Sequence, residues 1–350
     1  MATTAGAVPT SDRLRRLPLY QRLLARPAAG AAIIAIFIWI VSAILGGSGG
    51  FLTFQGTLSY LDVAAQIGIL GTSVALLMIA GEFDLSIGSL VGFASIVIGI
   101  GITTMGLPIW LAILIAIVLT VMLGFVNGII VTRTGLPSFI VTLATLFIFK
   151  GLTVVATASI TNIPYIPIAR DLVDNDPVAR FFNWSVVLPV GGELKVSIIW
   201  WIVLTALGAY LYSRTRFGNW IAGVGGSPGA ARNLGVPVAR VKVTLFMLTA
   251  LSAAILAAIT SMTFYSGDVL RGQGNELRAI TTAVIGGTLL TGGYGSVVGT
   301  AIGALALGMA QIGIFFAGIN ADWYNIALGT VLLVSVVLNN WIRRRYAGLR

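Results

Sequence analysis

The sequence predicts an all-α, polytopic integral membrane protein of about ten transmembrane helices, with both termini cytoplasmic. Three observations carry this. Of 350 residues, 57% are hydrophobic and 9% charged, where soluble domains carry about 25% charged residues; the mean hydropathy is +1.00. The apolar residues fall in runs of about 20, the length that crosses about 30 Å of hydrocarbon at 1.5 Å per residue. The formal net charge of +10 is spread as punctuation between these runs, not gathered beside a soluble fold, which argues against nucleic acid.

Residues 1–27 hold Arg13, Arg15, Arg16, Arg22 and Arg26 with three prolines, a basic tail suited to the anionic cytoplasmic leaflet. The run 28–45 reads as an uncleaved first helix, because the basic region is long and no small-residue cleavage site follows. Gly46-Gly47-Ser48-Gly49-Gly50 reads as a loop. Further spans are expected at 61–80, 85–105, 108–131, 138–157, 196–212, 243–265, 278–291, 295–316 and 322–341. Of these, 278–291 is short enough to be either a full span or a re-entrant segment.

With the N-terminus inside, 15 of the 21 Lys and Arg residues fall in cytoplasmic segments. Arg170, Arg180, Lys195, Arg271 and Arg278 fall outside, and Lys150 lies within a span. This bias supports an even number of spans. The transmembrane domain is then 28–341, followed by a basic cytoplasmic C-terminus at 342–350. Two hydrophilic segments interrupt it, an external loop at 158–195 and a cytoplasmic loop at 213–242. Glycines spaced as Gly124-x-x-x-Gly128 and Gly295-x-x-x-Gly299-x-x-x-Gly303 suit close helix approach in lipid. A weak internal echo links Ile79–Ser89 with Ile285–Ser296, each a glycine-rich break before a helix.

The absence of Cys and His removes thiol nucleophiles, imidazole bases and the commonest transition-metal ligands, so neither metal nor cofactor is expected. Lys150, Lys195 and Lys242 follow Phe, Leu and Val, so no Gly-Lys of a phosphate-binding loop is present and any ATPase must be another chain. Polar groups that interrupt spans are the candidates for a solute pathway: Asp84, Ser86, Asn127 and Lys150. Asp84 also suits a helix cap, accepting from the amides of Ser86 or Ile87. Glu82 and Asp84 would diverge by about 200° on a helix, so they are not read as a carboxylate pair. An ammonium at Lys150 is expected to face the protein interior.

In 213–242, Gly218, Gly223, Gly225 and Gly226 are expected to form a flexible turn. A short helix follows, carrying Ala230, Ala231 and Arg232 and ended by Gly235. Such a helix could dock in a groove of a cytoplasmic partner; a basic loop at lipid headgroups is the alternative.

Gly81-x-x-Asp84-Leu85-Ser86-Ile87-Gly88-Ser89 resembles the signature of membrane permeases in bacterial carbohydrate-import ABC systems of the ribose, xylose and arabinose type. The resemblance continues through Asn127-Gly128-Ile129-Ile130 and Leu136–Leu143. It resumes at Arg216-Phe217-Gly218 and Ala230-Ala231-Arg232, and is strongest at Gly272-Gln273-Gly274-x-Glu276-Leu277, Ile285–Thr288 and Gly292–Ser296. Arg278 stands where that family usually has Asp, and Tyr294 where it has Arg. Gly81-Glu82-Phe83 is closer to the related branched-chain amino-acid permeases.

The resemblance implies a permease subunit in the bacterial inner membrane, one of two in a homodimer or heterodimer, moving a monosaccharide inward. It implies a cytoplasmic ATPase as partner, engaged by 213–242, and an external solute-binding protein, for which Arg271 and Glu276 are candidate contacts. A permease for another small polar solute, such as a branched-chain amino acid, and an ion-coupled secondary transporter remain alternatives.

Overall fold

The computed structural model describes residues 27–346, apart from 162 and 190. The expected basic tail and the last residues of the basic C-terminus lie outside this range. Five helices come first: α1 (Pro27–Gly46), α2 (Phe54–Ile79), α3 (Ile87–Thr103), α4 (Ile109–Thr134) and α5 (Ser138–Thr161). The segment expected as the external loop is folded. It holds β1 (Tyr165–Pro167), α6 (Arg170–Asn175), α7 (Pro177–Asn183), β2 (Ser185–Val187) and β3 (Glu193–Lys195). Then come α8 (Val196–Arg214), α9 (Arg216–Gly226), α10 (Pro228–Asn233), α11 (Val238–Thr263), β4 (Ser266–Asp268), α12 (Asn275–Ile285), α13 (Val297–Phe316) and α14 (Trp323–Tyr346). The strands form two antiparallel pairs, β1 with β4 and β2 with β3.

Each of the ten expected spans has a helical counterpart. Seven of them (α1, α2, α4, α5, α8, α11 and α13) are long and apolar enough to cross a membrane. The helix α3 has 17 residues, and the apolar part of α14, Trp323–Leu338, is also short. The expected span 278–291 is corrected: α12 stops at Ile285 after 11 residues, and the chain leaves the helix until Ser296. A second difference is the start of α2, well before residue 61. Thr53 caps it by accepting from the Gly56 amide at 3.0 Å. Asp62 is tolerated within the helix because Lys195 Nζ lies 3.0 Å from its Oδ2 and Ser197 Oγ donates to its Oδ1 at 2.5 Å.

Two helices form the centre of the bundle. In their most apolar windows, 89% of α2 and 78% of α11 is buried, against 22–33% for α1, α4, α5 and α8. The outer helices turn Trp110, Phe125, Phe147, Ile148 and Leu207 outward, as a lipid-facing perimeter requires. Burial of apolar area gains little between helices already in lipid, so close van der Waals contact must hold them together. The glycine stripes supply it. A Cβ at Gly124 would overlap the Phe246 carbonyl and Ala250 on α11, and one at Gly128 would stand 2.8 Å from the Val243 backbone. Gly303 on α13 lies against the Thr282 carbonyl of α12.

The echo between the two glycine-rich breaks is a repeated hydrogen-bond pattern. At the end of α2, the amides of Ala80, Gly81 and Glu82 donate to the carbonyls of Leu76, Met78 and Leu77. At the end of α12, Gly286, Gly287 and Thr288 donate to Thr282, Val284 and Ala283 in the same order. Gly81 and Gly287 take nearly the same left-handed φ, 86° and 84°. Both helices therefore close with the glycine-dependent C-terminal motif that satisfies the last carbonyls without solvent.

Gly128→Leu should force α4 away from α11, because the atoms it meets are backbone that cannot swing aside. A loss of about 1–3 kcal/mol or more is expected, read as a lower midpoint of thermal unfolding in detergent. Gly223→Leu, which meets nothing within 4 Å, should leave that midpoint nearly unchanged.

Candidate functional site

The break between α2 and α3, residues 80–86, carries two acids through the bundle interior, and its polar groups are engaged by side chains of α4, α5 and α11. The Glu82 carboxylate pairs with the Lys242 ammonium at the start of α11. The Phe83 amide donates to Ser138 Oγ on α5 at 2.9 Å. Asp84 is 0% exposed. Its Oδ1 accepts from the Ser86 amide at 2.9 Å and from Ser86 Oγ at 2.6 Å, while Oδ2 accepts from Thr249 Oγ1 on α11 at 2.6 Å. Asn127 Nδ2 on α4 donates to Ser86 Oγ at 2.8 Å, and Asn127 Oδ1 is buried without a partner. The chain of polar contacts continues from the Thr249 carbonyl to Ser252 Oγ (2.8 Å) and on to Ser73 Oγ on α2 (2.6 Å).

Three of the four pathway candidates, Asp84, Ser86 and Asn127, are thus brought together, with Asp84 in the capping role expected of it. Lys150 stands apart, half-buried on α5 and within electrostatic reach of the Glu276 carboxylate. Sequence reading missed Thr249, Ser252 and Ser73. Isolated hydroxyl residues on apolar helices look like ordinary interhelical glue, and only the fold shows that they line one network.

The second break, 286–296, lies against the first. The Gly293 amide donates to the Ile79 carbonyl at 2.8 Å, and Gly292 packs on Gly81. A third glycine-rich segment joins them. Gly225 on α9 sits so close that a Cβ would overlap the Ile79 carbonyl and the Gly293 amide. Gly225 and Gly226 therefore touch both breaks at once.

The flexible turn expected over Gly218, Gly223, Gly225 and Gly226 is corrected: all four are helical, in α9. Thr215 caps this helix, accepting from the Gly218 amide at 3.1 Å, and Ile221 and Val224 anchor it in the core. Of its glycines, Gly225 serves close approach to Ile79 and Gly218 lies against the Leu211 and Tyr212 carbonyls. The short helix beyond is present as α10, begun by Ser227 and Pro228 and ended by Gly235 at φ 80°. Ala231 faces the core, while Ala230 and Arg232 face outward. Leu234, 85% exposed, stands at the tip. Its signal in the sequence was an apolar residue just before the helix-stopping glycine.

Arg271 and Glu276 were expected to meet an external protein. The structure engages both inside the fold. Arg271 donates to the Thr260 carbonyl at 2.5 Å and to Ser266 Oγ at 2.8 Å, with its guanidinium over the Phe264 ring. Glu276 accepts from the Gly274 amide at 3.3 Å and lies against Gly88 at the start of α3. Together they tie the segment between β4 and α12 to α3 and α11.

A helical bundle with a lipid-facing perimeter and a polar, broken interior defines a multi-pass membrane transport protein. Residues 56–336 match the family described as branched-chain amino acid transport system / permease component, and the chain belongs to that family. Individual relatives are sugar permeases. The chain is 28% identical to the fructose import permease protein FrcC of Rhizobium meliloti, over 98% of this chain and 93% of the relative. It is 30% identical to the xylose transport system permease protein XylH of Escherichia coli, over 97% of each. It is also 30% identical to the inner membrane ABC transporter permease protein YjfF of Escherichia coli, over 83% of this chain and 85% of the relative. The chain is a transmembrane permease of the sugar ABC transporter type.

Asp84→Ala would strand the Ser86 amide and hydroxyl donors in a dry interior, while Thr249 would keep the Phe246 carbonyl. Each unsatisfied buried group costs about 1–3 kcal/mol. The variant should show a strongly lowered unfolding midpoint in detergent, and Asp84→Asn, which keeps one acceptor oxygen, a smaller drop.

Proposed function

We propose that this chain is the membrane subunit of an ATP-driven importer that carries a monosaccharide, of pentose or hexose size, inward across the bacterial inner membrane. An external solute-binding protein delivers the sugar, and a separate cytoplasmic ATPase drives the cycle. Two permease subunits form the passage, as a homodimer or as half of a heterodimer. Ten membrane crossings, one of them made by α12 together with the non-helical segment 286–296, and both termini cytoplasmic, accord with the distribution of basic residues.

The observation that carries this reading is the contact of Gly225 with both helix breaks. Closure of the ATPase pair would press on α9 and α10. Because α9 has no side chain between its backbone and Ile79, its displacement passes directly to the ends of α2 and α12. Asp84 and Ser86 follow the end of α2, and Asn127 of α4 bonds Ser86; these are the groups proposed to line the passage with Lys150. The bundle thus has a rigid lever, two broken helices to be moved, and a polar interior whose exposure would change. Sugar is favoured over a branched-chain amino acid because the relatives named for a solute are fructose and xylose permeases.

The direct test is uptake into proteoliposomes holding the permease with its ATPase and binding protein. Accumulation of a monosaccharide only with internal or external ATP on the ATPase side is expected. Uptake driven by a proton or sodium gradient without the ATPase would refute the ABC reading, and selective uptake of leucine would refute the sugar.

Leu234 is proposed as the knob of this loop that enters the ATPase. Leu234→Glu should fold normally, since exposed substitutions usually shift stability by under about 0.5 kcal/mol. The ATPase should nonetheless fail to co-purify and transport should fall steeply. Ala231→Trp, by contrast, should damage the permease itself, because Ala231 is packed in the core.

A further inference from the structure

The fold builds a vestibule at the end opposite α9 and α10. It has a volume of about 640 Å³, within the about 300–1,000 Å³ of small-molecule sites. Asp174, Arg180, Trp184, Glu193, Lys195 and Tyr265 line it, drawn from α6, α7, the β2–β3 hairpin and the turn after α11. Lys195 is already paired with Asp62, so two carboxylates and one guanidinium are left to a ligand, which disfavours an anion. The planar carboxylates and guanidinium suit adjacent hydroxyl groups, and the Trp184 indole offers an apolar face for ring C–H groups.

These groups are held in place from behind. The Tyr265 hydroxyl donates to Asp174 Oδ1 at 3.0 Å, which leaves Oδ2 to a ligand. Arg180 Nε donates to the Asp174 carbonyl at 2.9 Å, which leaves its outer nitrogens. Lys195 is fixed by Asp62, itself held by Ser197. Fixing polar groups before a ligand arrives removes much of the ordering cost of binding. Tyr265 is the one non-glycine residue with a left-handed φ, 52°, among the described residues. For a bulky side chain that is strained, and such strain gathers at functional sites. A cavity of about 30 Å³, about the size of one water molecule, adjoins the vestibule beside Asp62 and Gln66 of α2 and Thr260 of α11.

We infer that this vestibule is a receiving site for a monosaccharide, which it binds directly at the external mouth before translocation. The inference rests on the importer reading, which places this end outside.

The test uses full-length permease in lipid nanodiscs, without ATPase or binding protein, titrated with radiolabelled D-fructose, D-xylose and D-ribose. Saturable binding of at least one sugar is expected. Asp174→Asn and Trp184→Ala should each weaken it about tenfold or more while keeping the wild-type unfolding midpoint. No saturable binding of any of the three, or unchanged affinity in both variants, overturns the site. Variants that keep sugar affinity but lose capture of the binding protein would make this surface a protein dock and likewise overturn it. ATP-dependent uptake by the assembled transporter separates the two readings. Uptake without binding to the permease alone defeats only the vestibule, whereas absence of uptake for every sugar defeats the importer.

Discussion

A backbone that leaves the helix inside a bilayer has no water to bond its amides and carbonyls, and the rest of this structure follows from that constraint. The break at 80–86 is held by Ser138 from α5, Lys242 and Thr249 from α11, and, through Ser86, Asn127 from α4. The break at 286–296 is held in part by the carbonyl of Ile79. Because each break depends on groups from other elements, no helix of the centre can shift without changing the bonding of the others. The polar interior is therefore mechanical as well as chemical, and a push delivered at α9 reaches it within one layer of atoms.

The division of labour between inner and outer helices has the same origin. α2 and α11 carry the polar and small residues and are covered on nearly all sides, while α4, α5 and α8 bury much less of themselves and turn large apolar side chains outward. The glycines of α4 and α13 let backbones meet where a side chain would hold them apart. Tight packing of backbone against backbone leaves few soft contacts between α9 and the breaks, so movement there is transmitted instead of absorbed.

Much of this was legible in the residues. Apolar run length placed the seven helices long enough to span, and the polar interruption at Gly81–Ser89 marked the first break. Short motifs of Asp84, Ser86 and Asn127 pointed to groups that the fold does assemble. What could not be read depends on contacts between distant segments. Gly218–Gly226 has the composition of a flexible turn and becomes a helix because Ile221 and Val224 find a core and Gly225 finds Ile79. Arg271 and Glu276 look like exposed charges until Thr260, Ser266 and Gly88 are brought to them. The expected span 278–291 is cut short because the left-handed Gly287 ends the helix first.

The ion pairs across the bundle have a consequence for biosynthesis. Asp62 and Lys195 are 133 residues apart, and Glu82 and Lys242 are 160 apart. At about 5–20 residues per second, a ribosome takes on the order of ten seconds or more to make the second partner. During that interval α2 and the break after it are already out of the ribosome with their acids unpaired. The nascent chain must keep these carboxylates wet, at the edge of the insertion machinery or near the headgroups. Only when α8 and α11 arrive can the most central helix of the finished protein settle into place, so the innermost part of the bundle is completed late.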